Sequence, residues 1–311
     1  MKINNPHDIT FRDIFSDSLK ARELIEIALP GELTAMFNWQ SLVNENESFI
    51  DEEMKEFFSD ILFSVNINDR HDIKIYLLFE HKSYPDPGIW KQLLTYLSRI
   101  YNKMDKLTPV IPIVFYHGET EWKISKNFID SIELPEDVKN KMLKYIPDFE
   151  YSLIDLRNED VEEMLISLTM KVVLYTFKNI RDFESREKLE NFIKLSKDLF
   201  YEDTGLKIIQ KLLLYLYATN EVNPAEMKDS ISRLISDDKG NIAMTTAERL
   251  MKQGFEQGIK QGIEQGIEKG IEDAKKEDAL KMLKKGYPVQ EIADITGLPE
   301  DVILKLKQDL N

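Results

Sequence analysis

The chain has 311 residues, a hydrophobic share of 42% and a formal charge of −15, from 56 acidic against 41 basic residues. That is enough apolar material for a self-supporting core, while the negative balance repels polyanions, so any nucleic-acid contact must be local. The absence of cysteine excludes disulfides and thiolate metal sites and suits a reducing compartment.

The opening MKINNPHDITFRDIF lacks the long apolar run of a signal peptide, and no later segment reaches the roughly 20 apolar residues of a membrane span. The expectation is a soluble, cytoplasmic protein without membrane partners. Residues 8 to 29 set Phe11, Ile14, Phe15, Leu19, Leu24 and Ile27 at helical spacings, and Leu29-Pro30-Gly31 stops the run, which predicts a helix or helix pair. Residues 49 to 58 are short and mixed. DILFSVN, from Ile61 to Asn66, then reads as a strand, the polar NINDRHD as a connection, and residues 74 to 82 as a second strand paired with it in a hairpin.

From Asp86 to Lys103, Ile89, Leu93, Tyr96, Leu97, Ile100 and Tyr101 share one helical face. VIPIVFY, residues 110 to 116, and YSLIDL, residues 151 to 156, are short apolar runs between helical stretches, the pattern of strands covered on both faces. The fold class expected is α/β, a mixed sheet flanked by helices and followed by an all-helical C-terminal region. Four divisions are expected: a core at 1–160, a helical extension at 161–250, a glycine-repeat helix or linker at 251–276, and a small module at 277–311.

In a strand, side chains alternate, so Glu80 and Lys82 share a face with Tyr76 and Leu78, while Phe79 and His81 point the other way. Two positions along a strand is about 6.5–7 Å, close enough for a carboxylate and an ammonium to touch one small object. If Asp60 lies across from Glu80, two carboxylates converge beside one lysine. Two hard oxygens and several waters are what Mg²⁺ requires, and the main-chain carbonyl of His81 could be a third ligand. Such an ion acidifies a bound water, and Lys82 could orient that water or offset developing charge. This is equipment for phosphodiester hydrolysis. From spacing alone, the competing explanation is a solvated strand end or a surface ion pair of little energetic consequence.

The blocks HDITFRDIF, Leu29-Pro30, SFI at 48–50, SDILFSV at 59–65, IYLLFEHKS at 75–83, QLLTYL at 92–97 and PIVFYHG at 112–118, followed by Trp122, resemble the Rpn family of recombination-promoting nucleases, within the PD-(D/E)xK superfamily. The resemblance runs in order over roughly residues 5 to 250. It implies a restriction-endonuclease-like core and a metal-dependent DNA endonuclease using Mg²⁺, with Mn²⁺ as a substitute. By position, Asp60 matches the superfamily's first acid, Glu80 its second and Lys82 its lysine, where many family members have Gln. Gln92 stands where many relatives carry Arg. It either orients a phosphate or water, or is an ordinary helix-surface glutamine.

Other polar residues have simpler explanations. His7 and Asp8 precede a helix, where Asp suits an N-cap. Gly118 after His117 fits turn chemistry, leaving His117 as a candidate substrate contact. Asp72 is the substitute for Asp60 if the register differs, and Asp86 between two prolines reads as a turn or helix start.

Glycine recurs at 254, 258, 262, 266 and 270, each followed by Phe or Ile. A period of four exceeds the helical repeat, so the stripe rotates about 40° per step, and five helical glycines cost roughly 5 kcal/mol against alanine. Two explanations stand: close self-association or docking on a partner helix, and a helix-prone linker. The last segment, broken at Gly286-Tyr287-Pro288 and Thr296-Gly297, resembles a helix-turn-helix. Its second helix would begin at Pro299-Glu300-Asp301, acids ill suited to phosphates, which favours a packing or protein-binding module. The leading function is therefore a Mg²⁺-dependent DNA endonuclease. The alternatives are a non-catalytic regulatory or assembly protein on the same fold, and an RNA-cleaving nuclease.

Overall fold

A computed structural model describes residues 5–45, 61–68, 70–219 and 222–308. The chain opens with α1 (Pro6–Phe15) and α2 (Ser18–Ala28), the helix pair expected from the apolar spacing. Asp17 caps α2 by accepting from the amides of Leu19 and Lys20, and Leu29 leaves the helix in extended conformation ahead of Pro30. A single turn, α3 (Gly31–Thr34), leads into β1 (Phe37–Asn44).

The sheet has five strands in the order of the sequence: β1, β2 (Ile61–Ile67), β3 (Arg70–Lys82), β4 (Val110–Tyr116) and β5 (Ser152–Asp155). The first two pairings are antiparallel and the last two parallel, so the mixed sheet and the β2–β3 pairing are as expected, but β3 begins at Arg70, inside the stretch read as a connection. β1 was not anticipated. Its FNWQSLVN is rich in polar residues, lies at the sheet edge, and breaks register between Asn38 and Val43, so it shows neither alternation nor a continuous apolar run. Residues 49 to 58 and Asp60 lie outside the described residues.

Two cores sandwich the sheet, and strand alternation divides the residues between them. Ile75, Leu77, Phe79, Ile113 and Phe115 face the larger core with Phe11, Phe15 and Phe177, while Tyr76, Leu78, Val114 and Tyr116 face the smaller one with Trp90, Leu93 and Tyr96. Both faces are apolar, which is why β3 and β4 read as unbroken hydrophobic runs. The smaller core is closed by α4 (Ile89–Asn102), the crossover between β3 and β4. It starts after Asp86, whose Oδ1 accepts from the Gly88 amide at 2.8 Å. A longer connection containing α5 (Glu136–Met142) joins β4 to β5.

Beyond β5 come α6 (Leu168–Lys178), α7 (Arg186–Ser196), α8 (Asp203–Thr219) and α9 (Pro224–Leu234). Their apolar residues, among them Phe177, Phe192, Leu213 and Ile231, belong to the same core as Phe11 and Phe79. The change of sequence character near residue 160 is thus a change of element type inside one compact unit, which runs to Ala247, and residues from Glu248 onward form a second unit. The helix α10 (Asp237–Lys284) carries the glycine ladder within a single helical run. After it, α11 (Val289–Thr296) and α12 (Glu300–Gln308) enclose a small core of Ala279, Ile292, Leu298 and Ile303. Gly297 ends α11 at φ 67°, a left-handed conformation that favours glycine. Among the described residues no helix is long and apolar enough to cross a membrane.

Gly118 is explained by close approach rather than by a turn conformation. A Cβ there would overlap the Tyr116 ring and hydroxyl, and that hydroxyl donates to the Thr120 carbonyl. Gly118→Ala should therefore destabilise the protein by about 1–3 kcal/mol through overpacking, read as a lower urea midpoint with unchanged slope.

Candidate active site

The carboxyl end of β3 carries Glu80, His81 and Lys82, and alternation sends them to opposite faces as expected. Glu80 and Lys82 lie on the α4 side. Glu80 is 1% exposed and Lys82 9%, so the explanation by a solvated strand end or surface ion pair does not hold. The Lys82 ammonium stands 2.9 Å from Glu80 Oε1 and 2.9 Å from Asp86 Oδ2, and it donates to Gln92 Oε1 at 2.6 Å. Burial works against that charge. The Glu80 and Asp86 carboxylates outweigh burial and hold Lys82 above its ordinary range.

Gln92 is not a helix-surface residue. From the second turn of α4 its amide donates to Glu80 Oε1 at 2.8 Å and approaches the Tyr96 hydroxyl at 2.7 Å, while its carbonyl accepts from Lys82. One carboxylate oxygen is thus clamped by an ammonium and an amide. The other, Glu80 Oε2, is buried and has no hydrogen-bond partner among the described residues. A buried anionic oxygen without a donor is costly, and a bound cation would satisfy it.

The remaining predicted ligands are less complete. Backbone groups of Tyr76 and Lys82 pair with the β4 side, through Tyr76 N to the Pro109 carbonyl and His117 N to the Lys82 carbonyl. Strand alternation therefore turns the His81 carbonyl toward the β2 side. The last described β2 pair is Ile61 with Phe79, and Asp60 lies outside the described residues. Asp72 cannot replace it beside Glu80, because both belong to β3 and eight strand residues separate them by about 26 Å. Among the described residues no three His, Asp or Glu side chains are disposed to hold an ion. Of the expected metal ligands, only Glu80 and the His81 carbonyl lie among the described residues.

The other face of the same strand end holds a cluster that spacing did not reveal. Three of the chain's four histidines meet there: His81 and His117 stack with ring centroids 4.9 Å apart, and His7 lies 5.1 Å from His117. His81 Nδ1 donates to Asp8 Oδ1 at 2.7 Å, and His7 Nδ1 shares a hydrogen bond with the Tyr215 hydroxyl at 2.6 Å. The N-cap explanation of His7 and Asp8 is thus corrected. Pro6 starts α1 ahead of both residues, three positions earlier than an Asp8 cap would allow, Asn5 takes the cap position, and Asp8 falls in the first turn, where its side chain reaches His81. The only sequence signal was that these histidines sit in separate blocks of the resemblance.

Burial, aided by the charges of His81 and Arg181, lowers His7 from about 6.5 to about 4 and outweighs Asp8. Burial also lowers His117 well below its ordinary range. Histidines whose folded pKa is depressed bind fewer protons than the unfolded chain, so their neutral packing stabilises above about pH 6.5 and is lost as pH falls toward about 4. The melting temperature should drop over that window. His7→Phe should flatten the drop, and an unchanged profile would contradict the assignment.

The chain matches a family described as Putative transposase, YhgA-like, over residues 5–207. It is 27% identical to the recombination-promoting nuclease RpnA of Escherichia coli K12 over 98% of both chains, and 29% identical to RpnC of the same strain over 94% of both. It is also 26% identical, over 96% of both chains, to a protein of that strain named inactive recombination-promoting nuclease-like protein RpnE. No solved structure matches the chain.

Proposed function

Because the chain belongs to the YhgA-like transposase family, we propose that it is a Mg²⁺-dependent endonuclease that hydrolyses phosphodiester bonds of DNA, in recombination, transposition or the response to foreign DNA. The observation that carries this reading is the state of Glu80: one oxygen clamped by Lys82 and Gln92, the other buried without a hydrogen-bond partner among the described residues. Its relatives RpnA and RpnC are named recombination-promoting nucleases, which supports the same reaction class.

In this reading Asp60, Glu80 and the His81 carbonyl would hold the ion, with Mn²⁺ as a substitute. The bound ion supplies an acidified water and charge compensation at a phosphoryl oxygen. Lys82 keeps its proton at the working pH, because Glu80 and Asp86 hold it charged, so it acts as a fixed cation toward developing negative charge and not as a base. Gln92 holds the Glu80 carboxylate in orientation and reports to Tyr96 through its amide. With a charge of −15 the chain makes few phosphate contacts, so its binding is weak and its salt slope, which is set by the number of phosphates neutralised, is small. The glycine ladder of α10 would serve assembly, by pairing with a second copy or a partner helix.

A non-catalytic role is the second reading, favoured by the name of RpnE. Plasmid DNA and a structured RNA, incubated at equal salt with Mg²⁺ or with EDTA, separate the possibilities. Metal-dependent nicking of DNA supports the proposal. Cleavage of RNA alone replaces its substrate, and no cleavage of either favours the non-catalytic reading.

A further inference from the structure

Behind the strand ends, on the histidine face, lies a cavity of about 460 Å³ lined by His117, Gly118, Arg157, Lys178, Asn179 and Arg181. Arg157 is neutralised by Asp155, which accepts from Nε at 3.0 Å and from Nη2 at 2.6 Å. Among the described residues Lys178 and Arg181 have no such partner. Their hydrogen bonds go to main-chain carbonyls, of Glu159 and of Ser83, the latter at 2.8 Å. Each keeps further N–H donors for a ligand. Glu119 and Asp182 also line the cavity but lie in no ion pair with either cation among the described residues.

A lysine at the end of α6 is explained in part by the helix dipole. That does not explain His117. It is 2% exposed, and apart from a weak approach to the Phe177 carbonyl its ring nitrogens lack a formed hydrogen bond. A buried polar group beside two uncompensated cations calls for a ligand with several acceptor oxygens and negative charge. Arginine's planar fork suits the paired oxygens of a phosphate. In a chain of net charge −15, such a spot is where a polyanion can make one of its few favourable contacts.

The position ties the cavity to the candidate active site. His117 N donates to the Lys82 carbonyl at 3.2 Å, and Arg181 holds the carbonyl of the next residue, Ser83. We propose that this cavity binds a phosphodiester of the substrate strand neighbouring the one that is cut, with Arg181 and Lys178 on its free oxygens and the buried His117 ring as part of the wall behind them. A strand crossing the carboxyl edge of the sheet would present one phosphate to Glu80 and Lys82 and the next to this pair. This inference rests on the nuclease reading.

The test uses the full-length protein in EDTA, with anisotropy of a labelled oligonucleotide over a salt series and thermal melting in inorganic phosphate as a separate arm. Lys178→Gln combined with Arg181→Gln should weaken oligonucleotide binding about tenfold or more and reduce the salt slope by about two, while Lys207→Gln on α8, a charge loss outside the cavity equal to that of Lys178→Gln alone, stays within about twofold. Arg181→Lys, which keeps the charge without the fork, should fall between. If the double variant fails to fold, Lys178→Gln alone carries the comparison, with about half the slope change. Oligonucleotide binding unchanged in a folded variant overturns the proposal, and if the parent still nicks plasmid the nuclease reading survives. Phosphate that raises the melting temperature of the parent only, with oligonucleotide binding unaltered, marks a free-anion site and likewise overturns it. A parent that does not nick but binds oligonucleotide through these two residues keeps the cavity and removes the nuclease reading.

Discussion

Glu80→Gln should lower plasmid nicking by at least about 10²–10³-fold, the loss typical of removing one aligned electrostatic group, while leaving the fold intact. The amide keeps an acceptor for Lys82 and a partner for Gln92, so the clamp on the α4 side survives. What disappears is the negative charge behind the buried, unpartnered Oε2, the atom to which the proposal assigns the divalent ion. The variant should match the parent treated with EDTA and should melt near the parent's temperature. Asp60→Ala should lose nicking to a similar extent if its carboxylate completes the ion's ligands. Equal nicking by parent and both variants would place the reaction elsewhere or assign it to a contaminant.

Lys82→Met should be costly in a different currency, stability. Glu80 is 1% exposed, and without the ammonium its carboxylate would keep only the Gln92 amide among its described partners. Breaking a buried pair by deleting one partner costs about 3–5 kcal/mol, because the remaining charge is stranded. Urea unfolding should show that loss as a fall in midpoint. Combining Lys82→Met with Glu80→Gln removes both charges and should recover most of it. If the single variant is as stable as the parent, the pair is solvated in solution and its role in fixing Glu80 is wrong.

Much of the sheet was legible because β2, β3 and β4 are covered on both faces, leaving short apolar runs bounded by turn residues. β1 was not, since an edge strand with a register break needs neither apolar alternation nor strong strand formers. The clamp was half legible. Glu80 and Lys82 are two apart on one strand, whereas Asp86, Gln92 and Tyr96 join them through the turn into α4, and Tyr96 by spacing belongs to the apolar stripe of that helix.

The sequence by itself determined the local order of the covered strands β2 to β5, where the first helices stop, and that Glu80 and Lys82 share a face opposite His81. Those features follow from a period of two, a period of 3.6 and the backbone limits of proline and glycine, all written within a few neighbouring residues. Only the tertiary structure decided that His7, His81 and His117 meet, that Gln92 locks a buried carboxylate, and that Lys178 and Arg181 stand beside the strand ends. Each depends on strand register and on how distant helices pack against the sheet, and no local pattern encodes distances between groups separated by tens to more than a hundred residues.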